Sequence, residues 1–266
     1  MLSAVRLGAV DYLNARPLVY GLELRTERFQ LRFDVPSKCA ALLHEGAIDV
    51  GLIPTIEYLR GHTQYSVVPG MSIASDGPVA SVALFSTKPV EQVRSIAADT
   101  SSRTSRGLLQ VLCYEAFGIE PEFVPMPPRI DAMLVRCEAA LLIGDPALFE
   151  DPAARGLLKI DLGERWTSLT GLPFVWAFWA GRPAVLSPGH VAELAAARDA
   201  GVQASDAIAA AYCGPDRAAL GGAYLRDNMK YSLGEREQAG LEEYYRLAEK
   251  HGVIEQAAGV TYYPIL

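Results

Sequence analysis

The chain has 266 residues, with 24 Lys and Arg against 31 Asp and Glu for a net charge of -7, and is 50% hydrophobic and 21% charged. That is enough chain to bury a full core over roughly one and a half to two domains, and the composition excludes a disordered or fibrous class. No basic excess exists to neutralise phosphates, so nucleic acid is not an expected partner.

The first ten residues lack the basic start and the apolar stretch of a secretory signal and read instead as a first buried strand. No run approaches the roughly 20 apolar residues needed to span a bilayer. A soluble, cytoplasmic protein is therefore expected, with no membrane partner and an oligomeric state that the sequence leaves open. Cys39, Cys113, Cys137 and Cys213 are far apart and show no C-x-x-C spacing. Buried free thiols are expected, not a zinc site or a disulfide framework.

In chain order, a strand over Val5–Val10 precedes a helix from about Arg16, a strand over 31–35, a helix over 37–45 and a strand over 48–53. The alternation predicts parallel βαβ units. Gly46 fits a left-handed helix end, Pro54 ends the third strand, and a short helix over 55–60 follows. After an apolar strand over 79–86 the grammar repeats: strand 95–98, helix 102–117, strand 122–126, helix 129–136, strand 139–143. In the first helix of this group Ser105, Leu108, Leu109, Leu112 and Ala116 make one mostly apolar stripe, with Arg103, Arg106 and Gln110 off it.

A strand over 174–180 follows, and residues 188–251 are almost wholly helical. There Val191, Leu194, Ala195 and Val202 form a weaker stripe, interrupted by Arg198. Helices without a sheet must pack on one already built, so this last third is expected on the first lobe. The chain would then cross between lobes near 84–87 and 174–179, giving one lobe of residues 1–85 plus 177–266 and a second of 86–176. Without repeats or linkers, two interleaved lobes fit better than two separate beads.

His44, His62, His190 and His251 include no H-x-x-x-H pair, and no histidine lies between residues 63 and 189. Neither G-x-S-x-G, G-x-G-x-x-G nor a Walker loop is present, so metal, acyl-enzyme and nucleotide chemistry have no support. The stronger signal is Asp99-Thr100-Ser101-Ser102-Arg103-Thr104-Ser105, which follows a strand and opens a helix. Free backbone N–H groups, the helix dipole, four hydroxyls off the apolar stripe and a guanidinium would converge there on a carboxylate or phosphate; ordinary N-capping is the competing reading.

Asn14, in Asp11-Tyr12-Leu13-Asn14-Ala15-Arg16-Pro17-Leu18, lies at the carboxyl end of the first strand, where open α/β sheets bind ligands, though it could equally be a helix cap. Ser81 interrupts an apolar strand and either bonds a backbone carbonyl or points into a cleft. Asp145, in Gly144-Asp145-Pro146, either caps the helix starting at Pro146 or stands ready as a base. The aromatic residues of Phe174-Val175-Trp176-Ala177-Phe178-Trp179 are expected in the core.

Six short pieces stand in order: Tyr12-Leu13-Asn14 with Pro17-Leu18, Asp49-Val50-Gly51 with Ile53-Pro54, Gly77-Pro78-Val79 with Ser81, Ser102-Arg103-Thr104-Ser105, Ile143-Gly144-Asp145, and Thr170-Gly171-Leu172-Pro173-Phe174. Together they closely resemble the chorismate dehydratases, menaquinone-biosynthetic enzymes that open the futalosine pathway, over residues 5–180. The resemblance implies a type II periplasmic-binding-protein-like α/β fold, two α/β lobes with a ligand cleft between them. It also implies a lyase that eliminates water from chorismate, a dicarboxylate, to give 3-[(1-carboxyvinyl)oxy]benzoate. By motif, Asn14 and Ser81 take the catalytic positions. Ser101, Ser102, Arg103 and Thr104 take the substrate-carboxylate site, with Gly144 and Asp145 beside the substrate. Ser101 replaces an expected threonine and keeps its hydroxyl; Arg16 falls between motif positions and carries nothing over.

No cofactor or metal is required, because loss of the ring hydrogen and hydroxyl makes the substrate aromatic. The substrate's own enolpyruvyl carboxylate and Asp145 are rival bases. A solute-binding protein for a small carboxylate shares the fold but is normally exported. The sister dihydroxynaphthoate synthase relies on cleft histidine chemistry, and a regulator's effector domain would need a DNA-binding helix-turn-helix for which the N-terminus has no room.

Overall fold

The structure, a computed structural model, describes residues 4–61 and 63–265. Five strands come first: β1 (Val5–Val10), β2 (Phe29–Asp34), β3 (Val50–Pro54), β4 (Ser66–Val67) and β5 (Ile73–Ser75), with helices α1 (Pro36–His44) and α2 (Thr55–Tyr58) between them. The next stretch carries β6 (Val82–Ser86), β7 (Ser95–Asp99), α3 (Arg103–Leu112), β8 (Glu122–Met126), α4 (Ile130–Arg136), β9 (Ala139–Ile143), α5 (Asp145–Leu148), β10 (Leu158–Asp161) and α6 (Leu162–Thr170). After β11 (Phe174–Gly181) the chain is helical: α7 (Pro188–Gln203), α8 (Ser205–Cys213), α9 (Ala218–Ala223) and α10 (Glu235–Lys250).

Two sheets result. The first runs β2-β1-β3-β11-β4, with β5 also on β11; β1 is parallel to β2 and β3, and β11 is antiparallel to β3. The second runs β10-β6-β9-β7-β8, parallel from β9 through β7 to β8 and antiparallel on either side of β6. β3, β9 and β11 are buried at every residue, as strands covered on both faces must be, so they read as unbroken apolar runs.

The expected lobe boundaries move. All of β6 pairs with β9 and β10, so residues 82–85 belong to the second sheet, and all of β11 belongs to the first, including residues 174–176. The crossings fall at 76–81 and 171–173, outside the strands, where the chain can turn without breaking a ladder. The apolar run over 79–86 hid the first one. Its opening half is a tight turn, with Ala80 at φ 61° and the Ser81 amide donating to the Val79 carbonyl at 2.7 Å. The Asp161 carboxylate fixes that turn by accepting from the amides of Val79 (3.0 Å) and Ala80 (2.6 Å).

Two helical stripes also shift. Past Leu112 the backbone widens into a π-helical turn over Cys113–Phe117, which rotates Ala116 out to solvent although the α-helical spacing puts it on the buried face. In α7 the buried face is Val191, Leu194, Ala197 and Gly201, and Val202 is exposed. β10 and α6 escape the periodicity reading because Leu158 is half-exposed and α6 buries only Leu162, Gly163 and Trp166. Cys39, Cys113 and Cys137 are buried free thiols and Cys213 is partly so; burial pushes Cys39 and Cys113 up to about 12, which leaves them inert. Among the described residues no helix is long and apolar enough to cross a membrane.

The C-terminal helices do pack on the first lobe, and they also reach the second. A Cβ on Gly201 of α7 would sit 2.2 Å from the Pro17 carbonyl oxygen, so α7 lies directly on the 3-10 helix Leu13–Val19 that carries Asn14. Gly201→Ala is expected to force the two backbones apart and to destabilise the fold by about 3 kcal/mol, since neither side can yield by a rotamer change. A denaturant midpoint unchanged from wild type would contradict this packing.

Candidate active site

Between the sheets lies a small cavity of about 50 Å³, lined from the first lobe by Val10, Tyr12, Asn14, Pro36, Pro54 and Ile73. Trp176 and Ala177 of β11 also line it from the first lobe; the first crossing adds Val79 and Ser81, and the second lobe adds Val82, Ser102, Ser105, Ile143 and Gly144. The lining contains no Lys, Arg, His, Asp or Glu.

Four expected site residues meet there. Asn14 comes from the 3-10 helix that starts one residue after Tyr12, and its carbonyl accepts from the Tyr231 hydroxyl at 2.9 Å. Its Oδ1 is buried with no hydrogen-bond partner, an acceptor left open in a residue that faces the cavity. Ser81 does not bond a backbone carbonyl through its side chain: its Oγ accepts from the Tyr224 hydroxyl at 2.7 Å, which leaves the serine's own proton to point elsewhere. Ser102 caps α3, accepting from the Ser105 amide at 3.3 Å, and the two hydroxyls lie 3.0 Å apart. The N-terminal turn of α3 therefore sets Ser102 and Ser105 into the cavity wall.

Gly144 makes the lobes meet. At φ 63° and ψ -146°, a backbone region that favours glycine, it lets the Tyr12 ring approach so closely that a Cβ would be 2.8 Å from ring carbons.

The other four expected residues are occupied elsewhere. Arg103 does not line the cavity: its guanidinium donates to Glu57 at 2.7 Å, so the cationic half of the expected carboxylate site is spent on an ion pair between α3 and α2. Thr104 Oγ1 accepts from the Ile56 amide at 3.2 Å and seals the lobe interface. Ser101 is held by Asp99, donating both its amide (2.8 Å) and its hydroxyl (2.6 Å) to Oδ1. Burial raises the Asp99 carboxyl above its ordinary range, and the bonds from Ser101 offset only part of that.

Asp145 neither lines the cavity nor caps its own helix. Its carboxylate accepts from the Leu13 amide at 3.1 Å and from the Tyr212 hydroxyl at 2.5 Å, so it caps the Asn14 helix of the opposite lobe. Burial raises its carboxyl, and the Tyr212 and Leu13 bonds pull the other way.

Sequence reasoning missed Tyr224 and Trp176. Tyr224 stands on a π-helical turn, Tyr224–Asn228, where α-helical spacing gives no cue. Burial pushes its hydroxyl far above the ordinary range despite the hydrogen bond to Ser81, so it stays protonated and acts as a fixed donor. Phe174, Trp176, Phe178 and Trp179 are core as expected, but Trp176 also lines the cavity and donates to Ser75 Oγ at 3.1 Å.

Two α/β lobes crossed twice by the chain, with a polar-tipped apolar cavity between them, define a two-lobed fold of the periplasmic-binding-protein type. Solved structures carry the same fold. A protein from Archaeoglobus fulgidus superposes with a TM-score of 0.75 at 21% identity, covering 94% of this chain and 98% of that one. The alkanesulfonate-binding protein SsuA from Xanthomonas axonopodis pv. citri does so at 0.70 and 15%, covering 96% and 95%. The chain belongs to a menaquinone biosynthesis family, whose model matches residues 5–250. It is 32% identical over 191 residues to a chorismate dehydratase from Thermus thermophilus, covering 66% of this chain and 69% of that one. To a chorismate dehydratase from Campylobacter jejuni it is 30% identical over 179 residues, covering 64% of each.

Proposed function

We propose that this protein is a chorismate dehydratase, a lyase that removes water from chorismate to give 3-[(1-carboxyvinyl)oxy]benzoate in menaquinone biosynthesis, and that it works in the cytoplasm. Membership of the family, joined to a cavity that supplies hydrogen-bond groups but no base, carries this reading. In chorismate the ring hydrogen beside the enolpyruvyl ether is acidified by conjugation to the ring carboxylate, and the neighbouring hydroxyl lies on the same ring face. The C–H bond breaks, its electron pair enters the ring, the C–O bond breaks with its pair, and proton and hydroxide leave as water. Aromaticity supplies the driving force, so the protein must hold, orient and keep water out.

On this reading the first turn of α3, with Ser102 and Ser105, receives the ring carboxylate and stabilises charge that spreads into it as the proton leaves. Asn14 Oδ1 accepts from the departing hydroxyl, and the Ser81 proton, freed by Tyr224, donates to the ether or to the leaving oxygen. Ser101 and Thr104 act by fixing the shape of that first turn, and Gly144 by admitting Tyr12. Asp145 loses its place as a candidate base to the substrate's own enolpyruvyl carboxylate, since its oxygens are engaged by Leu13 and Tyr212.

Purified protein mixed with chorismate is expected to yield a product lighter by one water, with an aromatic ultraviolet spectrum. Tight binding of unchanged chorismate would instead favour a solute-binding role.

A further inference from the structure

A second cleft, of about 330 Å³, shares no lining residue with the first. Arg60 at the end of α2 and the Gly252–Val253 turn after α10 face Arg103, Arg106 and Gln110 of α3 across it, so it joins the first lobe to the second. Beneath it Glu57 is fully buried and takes Arg60 Nη1 at 3.1 Å and Arg103 Nη1 at 2.7 Å. Burial would raise the Glu57 carboxyl, but His44, whose Nε2 lies 3.5 Å away, and the charges of Arg103 and Arg60 hold it below its ordinary range, so it is ionised.

Three guanidiniums and one carboxylate leave a local charge of about +2 in a chain whose net charge is -7. Arg60 Nη2 is used on the Val253 carbonyl at 3.3 Å. Arg106 is not used: among the described residues no carboxylate pairs with it, and its Nε is buried without an acceptor. A buried cationic donor without a partner is unfavourable, and a guanidinium fork matches the oxygens of a tetrahedral oxyanion.

We infer that this cleft binds the phosphoryl dianion of a small molecule, with Arg106 as its main ligand and Arg103, Arg60 and Gln110 around it. Because the ligands come from both lobes, the bound anion holds them closed. It also steadies α3, whose first turn lies at the substrate cavity.

The test is thermal unfolding with inorganic phosphate against chloride at matched ionic strength, with malonate as a phosphate-free dianion. At phosphate about tenfold above its Kd the midpoint is expected to rise by about 3 °C. Arg106→Gln should abolish that rise and Arg106→Lys should keep part of it, while Arg165→Gln, which removes an exposed charge elsewhere, should leave it whole. An equal rise in wild type and Arg106→Gln, or none beyond chloride, would overturn the site. A rise with malonate alone would overturn the phosphoryl assignment.

Discussion

Replacing Asn14 by aspartate is expected to lower chorismate turnover by at least about a hundredfold. The substitution keeps shape and the acceptor oxygen, so it isolates charge. A carboxylate about 4 Å from a substrate carboxylate, at an effective dielectric near 20, opposes it by about 4 kcal/mol, an upper bound near a thousandfold in rate. Protonation of the new carboxyl beside a dianion relieves part of this. The sign of the pH response follows: its pKa is raised by the substrate, so activity recovers as pH falls through that pKa and is lost again as pH rises. Steady-state kinetics between about pH 5 and 8 check both parts. Turnover near that of wild type at neutral pH would remove Asn14 from the reaction.

Tyr224→Phe is expected to lower kcat by about tenfold or more while moving KM by less than about threefold. The ring is isosteric, and what is lost is one donor to a buried acceptor, an effect of about 1–3 kcal/mol when the acceptor is left unsatisfied. Without the Tyr224 hydroxyl the Ser81 proton can turn toward any neighbour, so the substrate still binds but the leaving group loses its oriented donor. Stability should fall by about 1 kcal/mol. An unchanged kcat together with the stability loss would show that Tyr224 only packs.

The fold was largely legible because its strands are short, apolar and separated by helices, a pattern that local physics alone imposes. The crossings were harder. Residues 79–81 are as apolar as the strand they precede, and the Asp161 carboxylate that pins them as a turn lies 82 and 81 positions from Val79 and Ala80 in the chain.

The site shows the same division. Asn14, Ser81 and Ser102 stand at strand or helix ends, where topology brings ligand groups together whatever the rest of the chain does. Arg103 stands at such an end too, yet its side chain turns to Glu57, a partner that no local spacing reveals. Asp145 could be read as a cap or a base; it is a cap, but of a helix in the other lobe. Tyr224 reaches Ser81 from 143 positions away, through a helical tail whose only sequence signal is that it must pack on something.

The cavity lining offers no base, and the proposed elimination therefore relies on the substrate's own carboxylate. The pH dependence of kcat tests this most directly. Tyr12 and Tyr224 are both raised above the ordinary phenol range, and the cavity lining has no carboxylate, imidazole or amine. With no protein base, kcat is expected to be flat from about pH 5.5 to 9. A limb of unit slope inside that range, marking the titration of a protein base such as a raised Asp145, would contradict it.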